Sequence, residues 1–181
     1  LKDRKLSTAV GDEGGFAPDV KDAWEVLELM AQACEKAGYQ PGRDVCFAMD
    51  AAASELYMEE EKAYYFPGES SMAGEKIIRT AEELTGYYRQ LQEKYPIVSI
   101  EDGLCEEDWE GWKMMGQSLG DKLQLVGDDL FVTNVKRIQK GIDMGAGNAV
   151  LIKVNQIGTL TEAMAAVSMT QRAGWNAVVS H

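Results

Sequence analysis

The chain has 181 residues, enough for one domain with a hydrophobic core, and 45% of them are hydrophobic and 27% charged, as in ordinary globular proteins. The formal net charge of −12 argues against a surface that binds nucleic acid or anionic lipid. No apolar run is long enough to span a membrane, and the three cysteines, which form no CxxC pair, favour a reducing cytoplasm over a disulfide framework.

Short, nearly continuous apolar runs alternate along the chain with amphipathic stretches. The runs mostly lack a period of two, which is typical of parallel strands that are covered on both faces. Strands that alternate with helices at this spacing predict βα units and a parallel sheet. The five predicted strands are Val45–Met49, Ile97–Ile100, Leu123–Val126, Ala149–Ile152 and Ala177–Val179.

Helical patterns precede and separate these strands. The segment Asp22–Ala37 places its apolar residues on one face, and a capping box from Thr159 to Glu162 opens a helix that ends near Gly174. Residues 57–73 are predicted to be an excursion between one strand and its helix. The other predicted helices are Glu75–Lys94, Asp108–Leu119 and Asn134–Met144.

Every predicted strand is followed by a residue that can take part in chemistry. From Glu101 to the end of the chain these residues recur at nearly equal intervals, which is the layout of a (β/α) barrel. In a barrel these strand ends converge on one mouth. A doubly wound sheet usually carries a glycine-rich phosphate loop after its first strand, and none is present here. The strand-end residues are Asp50, Glu101, Asp102, Asp128, Asp129, Lys153, Ser180 and His181.

The strand-end carboxylates predict a metal site beside a lysine. A single acid in this position is more often a helix cap or turn residue, but acids at three successive strand ends followed by a lysine favour function. Carboxylates without His or Cys partners suit Mg²⁺ before Mn²⁺, and both well before Zn²⁺. A buried lysine facing such a cation can have its pKa lowered towards neutrality. The residues therefore predict metal-assisted proton abstraction next to a carboxylate, and leave open which acid of each adjacent pair binds the metal.

Six long and specific motifs run in order over essentially the whole chain. They are VGDEGGFAPD (Val10–Asp19), MDAAASELY (Met49–Tyr57), YPIVSIEDGLCEEDW (Tyr95–Trp109), LVGDDLFVTN (Leu125–Asn134), LIKVNQIGTLTE (Leu151–Glu162) and AVVSH (Ala177–His181). Together they resemble the enolase family, in its bacterial type. The resemblance implies a magnesium-dependent lyase of glycolysis that reversibly dehydrates 2-phosphoglycerate to phosphoenolpyruvate.

The resemblance also implies the metal ligands. Asp50, Glu101 and Asp128 match the three magnesium ligands of the family. It therefore favours Glu101 over Asp102 and Asp128 over Asp129, a choice that the spacing of the strands cannot make.

The remaining site residues are implied in the same way. Lys153 matches the base that takes the proton next to the substrate carboxylate, and Glu13, in the GDEGG loop, matches the acid that assists departure of the hydroxyl group as water. Ser180 and His181 match the start of a substrate-binding loop.

The resemblance further implies that residues 1–181 are part of a longer protein. They are expected to form a partial C-terminal barrel with about five of its eight strands, without the N-terminal α+β domain and without both flanks of the barrel. The isolated fragment is then expected to be inactive. The full-length protein is expected to be a cytoplasmic homodimer or higher homo-oligomer, and bacterial members are also reported at the cell surface or secreted.

Three alternatives stay open at this point. The chain could belong to another enolase-superfamily enzyme, such as a racemase or cycloisomerase, although the GDEGG and KVNQ motifs disfavour this. It could have a non-catalytic binding role at the cell surface or in an RNA-degrading assembly, although no lysine-rich run supports one. It could also be a fragment without a function of its own.

Overall fold

The computed structural model describes residues 1–12 and 14–181, and the chain divides into two compact units. The first unit comprises Leu1–Val45 and Phe66–Ile77, and the second comprises Cys46–Tyr65 and Ile78–His181. Among the described residues, no helix has both the length and the apolar character that crossing a membrane requires.

In its described residues, the regular elements of the first unit are three helices. A short 3₁₀ helix spans Lys2–Arg4, helix α1 spans Ala23–Lys36 and helix α2 spans Pro67–Ala73. Helix α1 begins after Asp22, whose carboxylate accepts a hydrogen bond from the backbone N–H of Glu25 at 2.9 Å and so satisfies a free donor of the first turn. The predicted helix over Asp22–Ala37 is confirmed to within one residue at each end.

The second unit contains all eight strands of the described chain, five α-helices and a 3₁₀ helix at Ala53–Leu56. The strands are β1 (Phe47–Asp50), β2 (Tyr57–Met58), β3 (Ala63–Tyr65), β4 (Ile78–Arg79), β5 (Ile97–Glu101), β6 (Gln124–Gly127), β7 (Ala149–Ile152) and β8 (Asn176–Val179). The helices are α3 (Ala81–Lys94), α4 (Trp109–Leu119), α5 (Val135–Met144), α6 (Val154–Ile157) and α7 (Leu160–Arg172).

Five of the strands form one parallel sheet in the order β1-β5-β6-β7-β8. Each new strand is added on the same side of the preceding one, so the sheet has no point at which the strand order reverses. A doubly wound sheet has such a point, whereas a barrel does not. The predicted α/β fold, a partial (β/α) barrel with five strands, is therefore confirmed.

The helices cover the sheet as the apolar character of its strands predicts. All four residues of β7 are buried, and α7 packs against both β7 and β8. Helix α3 lies beside α4, α4 beside α5, and α5 beside α7. A strand covered on both faces needs apolar side chains in both directions, which explains why β7 lacks alternation, whereas Val98 of β5 and Val179 of β8 are exposed.

The excursion after β1 contains more structure than the sequence predicts. Strands β2, β3 and β4 form a small antiparallel sheet, and the predicted helix Glu75–Lys94 begins only at Ala81. The start is later because Ile78 and Arg79 pair with β3, and because Thr80 then caps the helix in a capping box with Glu83.

A close approach of Phe131 to two glycines holds the loop after β6 against the core. Phe131 is fully buried, and its ring lies where a β-carbon on Gly127 or Gly141 would stand, with closest approaches of 2.5 Å to each. Only a residue without a side chain leaves room for the ring at these two positions. This packing fixes the loop that follows Asp128.

We expect Gly141→Ala to lower the free energy of unfolding by about 1–3 kcal/mol, because the new methyl group would overlap the Phe131 ring. Gly86, inside helix α3, is a matched control, since a β-carbon there would meet nothing within 4 Å. Gly86→Ala should instead stabilise the protein by ~0.5–1 kcal/mol through helix propensity. Urea unfolding of both variants checks the pair, and equal effects of the two substitutions would contradict this account of the packing.

Candidate active site

Four polar residues lie at the carboxyl ends of neighbouring parallel strands. Asp50 ends β1, Glu101 ends β5, Asp128 directly follows β6 and Lys153 directly follows β7. Asp50 and Glu101 stand opposite each other in the register of their two strands. Because the strands are parallel, all four residues lie along one edge of the sheet, where barrel enzymes carry their active sites.

Asp128 and Lys153 form a close ion pair. The Lys153 Nζ atom lies 2.6 Å from Oδ2 of Asp128, and the side chains are only 19% and 12% exposed, respectively. The other oxygen of Asp128, Oδ1, accepts a hydrogen bond of 2.7 Å from Nε2 of Gln156. Each oxygen of the carboxylate therefore has a fixed donor, which sets the orientation of the whole group.

Glu101 lies in a strongly negative environment. Burial, and after it the negative charges of Asp50 and Asp128, raise the pKa of its carboxyl group to about 7, while Lys153 acts in the opposite direction. Asp102 also raises it. Two of these neighbours are the other predicted metal ligands, so the three acids share one electrostatic neighbourhood.

Asp102 holds the backbone of the next strand end. Its Oδ1 atom accepts a hydrogen bond from the backbone N–H of Asp128 at 3.0 Å, and its Oδ2 atom accepts one from Asp129 at 2.9 Å. The residue is 5% exposed, and burial raises the pKa of its carboxyl group to about 6. Both oxygens are thus used to fix the main chain from which the Asp128 side chain projects.

There are two candidate sets of metal-binding acids, and Asp128 belongs to both. Carboxylate oxygens of Asp102, Asp128 and Asp129 lie within 4.8 Å of one another, whereas the sequence predicts Asp50, Glu101 and Asp128. The first set contains Asp102, both of whose oxygens already accept backbone hydrogen bonds. Exposure does not separate the two sets, because Asp50 and Asp129 are both exposed. We therefore favour the second set, whose ligand role stays a prediction.

The residues at this edge fit a hard divalent cation. The donors are carboxylate oxygens, which Mg²⁺ and Mn²⁺ prefer, and the described part of the edge brings no cysteine to the acids. The mutual repulsion of the acids around Glu101 is the kind of charge that a bound cation offsets.

The pKa of Lys153 shifts in the direction opposite to the one expected beside a cation. The hydrogen bond from its amine to Asp128 raises its pKa, and the charges of Asp128, Glu101 and Asp129 raise it further, although burial opposes them. The lysine is therefore protonated as long as the carboxylates beside it are not offset by positive charge.

The other predicted site residues have different positions. Ser180 follows β8, its backbone N–H donates to the carbonyl oxygen of Ile152 at 3.0 Å, and His181 comes next and is exposed. Both follow β8, at the same edge of the sheet as Lys153, and their role in substrate binding stays a prediction. Glu13 lies outside the described residues, so its predicted role as an acid stays a prediction.

Sequence reasoning assigned no role to three residues that the structure joins to this edge. The resemblance assigns the metal to Glu101 rather than to its neighbour Asp102, and it implies no role for Gln156. Thr133, which is fully buried, accepts a hydrogen bond from the backbone N–H of Lys153 at 2.9 Å. The adjacency of the two acids in IED was a usable signal for Asp102, because one acid faces the site and its neighbour holds the backbone.

An acidic cluster beside a lysine, at the carboxyl ends of parallel strands, is the site of a (β/α)-barrel enzyme. The family model for the enolase C-terminal TIM barrel domain matches residues 1–181, which is the whole chain. The chain belongs to this family, which is a family of lyase-type enzymes.

Proposed function

We propose that the chain is the catalytic part of a magnesium-dependent, bacterial-type enolase that reversibly converts 2-phosphoglycerate to phosphoenolpyruvate and water. The observation that carries the proposal is the placement of Asp50, Glu101, Asp128 and Lys153 at one edge of the sheet, within a chain of the enolase family. Asp50, Glu101 and Asp128 would hold the Mg²⁺ ion.

The proposed reaction requires one group that removes a proton and one that delivers a proton. The Nζ atom of Lys153 first accepts the proton from the carbon next to the substrate carboxylate, and the electron pair of that bond is delocalised into the carboxylate. When the hydroxyl group then leaves, this electron pair forms the new double bond. Glu13 supplies the proton with which the hydroxyl departs as water. Ser180 and His181 contribute to binding of the substrate.

The ion pair with Asp128 explains why Lys153 needs help to act as a base. A protonated amine cannot accept a proton, and the carboxylates beside it raise its pKa. Bound Mg²⁺ would supply positive charge that offsets these carboxylates and stabilises the negative charge developing on the substrate. Asp128 would then bind the cation and also accept a hydrogen bond from Lys153, so both interactions depend on the position of its carboxylate.

We also propose the domain organisation, the oligomeric state and the cellular compartment of the enzyme. The 181 residues would be part of a longer chain with an N-terminal α+β domain, which forms a homodimer or higher homo-oligomer in the cytoplasm. Three free cysteines agree with a reducing compartment.

A substrate panel tests the activity. The full-length protein that contains these residues should form phosphoenolpyruvate from 2-phosphoglycerate with Mg²⁺ and lose this activity in a chelator. It should leave the substrates of the rival superfamily activities, carboxylates that are racemised or cycloisomerised, unchanged. Turnover of such a carboxylate without turnover of 2-phosphoglycerate would contradict the proposed substrate.

A further inference from the structure

A closed ring of four hydrogen bonds links the backbone of Lys153 to its own side chain through three other residues. The Lys153 N–H donates to Oγ1 of Thr133 at 2.9 Å, and this hydroxyl lies 3.1 Å from its acceptor, Oε1 of Gln156. Nε2 of Gln156 donates to Asp128 at 2.7 Å, and Asp128 accepts the Lys153 amine at 2.6 Å. The ring therefore connects the proposed base to a proposed metal ligand by two routes.

The chemistry of the ring allows only one orientation of the Gln156 amide. An ionised carboxylate can only accept hydrogen bonds, so the NH₂ group must face Asp128 and the carbonyl oxygen must face Thr133. The Thr133 hydroxyl, which accepts from Lys153, has two acceptors within reach, the Gln156 oxygen at 3.1 Å and the Leu151 carbonyl oxygen at 3.4 Å, and the Gln156 oxygen is the nearer. A glutamine in this place is accordingly fixed at both ends.

Thr133 is held in an unusual backbone conformation. It is fully buried with a φ of 54°, and the preceding Val132 has a φ of 41°, so two successive residues with branched side chains occupy the left-handed region. Such conformations cost about 1–3 kcal/mol each and persist only where the surroundings impose them. Hydrogen bonds from Val132 to the Asp128 carbonyl at 2.7 Å and from Asn134 to the Phe131 carbonyl at 2.8 Å hold this turn.

Helix α6, which carries Gln156, is too short to be stable without tertiary contacts. Helix α6 has only four residues and directly follows Lys153. One helical turn is not stable by itself in water, because nucleation of a helix is unfavourable. The bonds to Thr133 and Asp128 therefore fix the direction of Gln156 relative to the two charged groups.

We infer that Thr133 and Gln156 are positioning residues that fix the Asp128 carboxylate for cation binding and hold it against the amine of Lys153. The inference rests on the proposed function, since it assigns the carboxylate a cation. Each carboxylate oxygen has a second lone pair, so the bonds from Gln156 and Lys153 leave room for a cation. Partners of this kind, behind a ligand, typically change metal affinity by 10–100-fold when they are removed.

The test measures Mg²⁺ affinity by calorimetric titration of the full-length protein without substrate. Thr133→Val keeps the shape and removes the hydroxyl, and Gln156→Met removes the amide at similar length. Both are expected to weaken Mg²⁺ binding by about 10–100-fold. Thr133→Ser, which retains the hydroxyl, should stay within about threefold of the parent protein by the same reasoning.

Gln139 offers a matched control. Its Nε2 atom donates to Asp143 at 2.8 Å on the exposed face of α5, so Gln139→Met removes a bond of the same kind away from the site. This variant should bind Mg²⁺ like the parent protein. Thermal unfolding of every variant shows whether each one folds, and Gln156→Met, on a half-buried residue, keeps the test decisive if a Thr133 variant does not fold.

The double variant Thr133→Val/Gln156→Met distinguishes a connected ring from two separate effects. If both residues act through one chain of bonds, the double variant should bind Mg²⁺ no more weakly than the weaker single variant. Additive losses, or parent-like affinity in folded single variants, would overturn the inference. A parent protein that binds Mg²⁺ but does not dehydrate 2-phosphoglycerate would overturn the proposed function only, and one that binds no Mg²⁺ would overturn both.

Discussion

Lys153→Ala in the full-length protein is expected to reduce exchange of the 2-phosphoglycerate proton next to the carboxylate by at least about 10²–10⁴-fold, the usual contribution of a general base. The reason is that the amine of Lys153 lies beside the acids of the site, 2.6 Å from Asp128, where it is placed to act on a metal-bound carboxylate. The measurement is incorporation of deuterium into 2-phosphoglycerate in heavy water.

Two further variants make this result specific to Lys153. Lys136→Ala removes an exposed lysine from helix α5 and should leave exchange unchanged. Glu13→Gln should slow dehydration while some exchange remains, because the proposed proton removal precedes departure of the hydroxyl. Normal exchange in the Lys153 variant would overturn its assignment as the base, and unimpaired dehydration in the Glu13 variant would overturn the assignment of the acid.

Asp50→Asn is expected to weaken Mg²⁺ binding by about 100-fold, whereas Asp129→Asn should change it by less than about threefold. The contrast follows from the choice between the two sets of acids. Asp50 stands opposite Glu101 in the strand register, and its charge raises the pKa of Glu101, whereas Asp129 donates its backbone N–H to Asp102. Calorimetric titration of the two variants with Mg²⁺ measures the difference.

The two aspartates are well matched, since each loses one charge and keeps its size on substitution. If Asp129→Asn weakened Mg²⁺ binding strongly and Asp50→Asn did not, the cation would belong to Asp102, Asp128 and Asp129 instead. The three-acid assignment from the sequence would then be wrong at two positions, and only Asp128 would keep its role.

The parallel sheet could be predicted because each of its strands has a recognisable pattern in a short stretch of sequence. In Ala149–Ile152 every side chain is buried, so the sequence has to be apolar throughout, and a polar residue directly afterwards marks the strand end. The small sheet was missed because Ile78–Arg79 is only two residues long and pairs with β3 far along the chain. Such short strands depend on tertiary pairing more than on any local pattern.

The acids of the site could be predicted from their positions at strand ends. The sequence pattern could not show which acids face the metal site and which hold the backbone. Glu101 and Asp102 are adjacent in sequence, and only the structure shows that both oxygens of Asp102 hold the backbone after β6. Thr133 carries no sequence signal for its role, because that role depends on a positive φ in a turn without glycine. The hydrogen bonds of Gln156 depend in turn on that conformation.

The location of a bound Mn²⁺ ion tests the central claim most directly. Mn²⁺ prefers the same oxygen ligands as Mg²⁺, and its anomalous scattering identifies its position in crystals of the full-length protein. The account predicts a single strong peak that is coordinated by carboxylate oxygens of Asp50, Glu101 and Asp128. A peak held by Asp102 and Asp129, or none at this edge of the sheet, would contradict it.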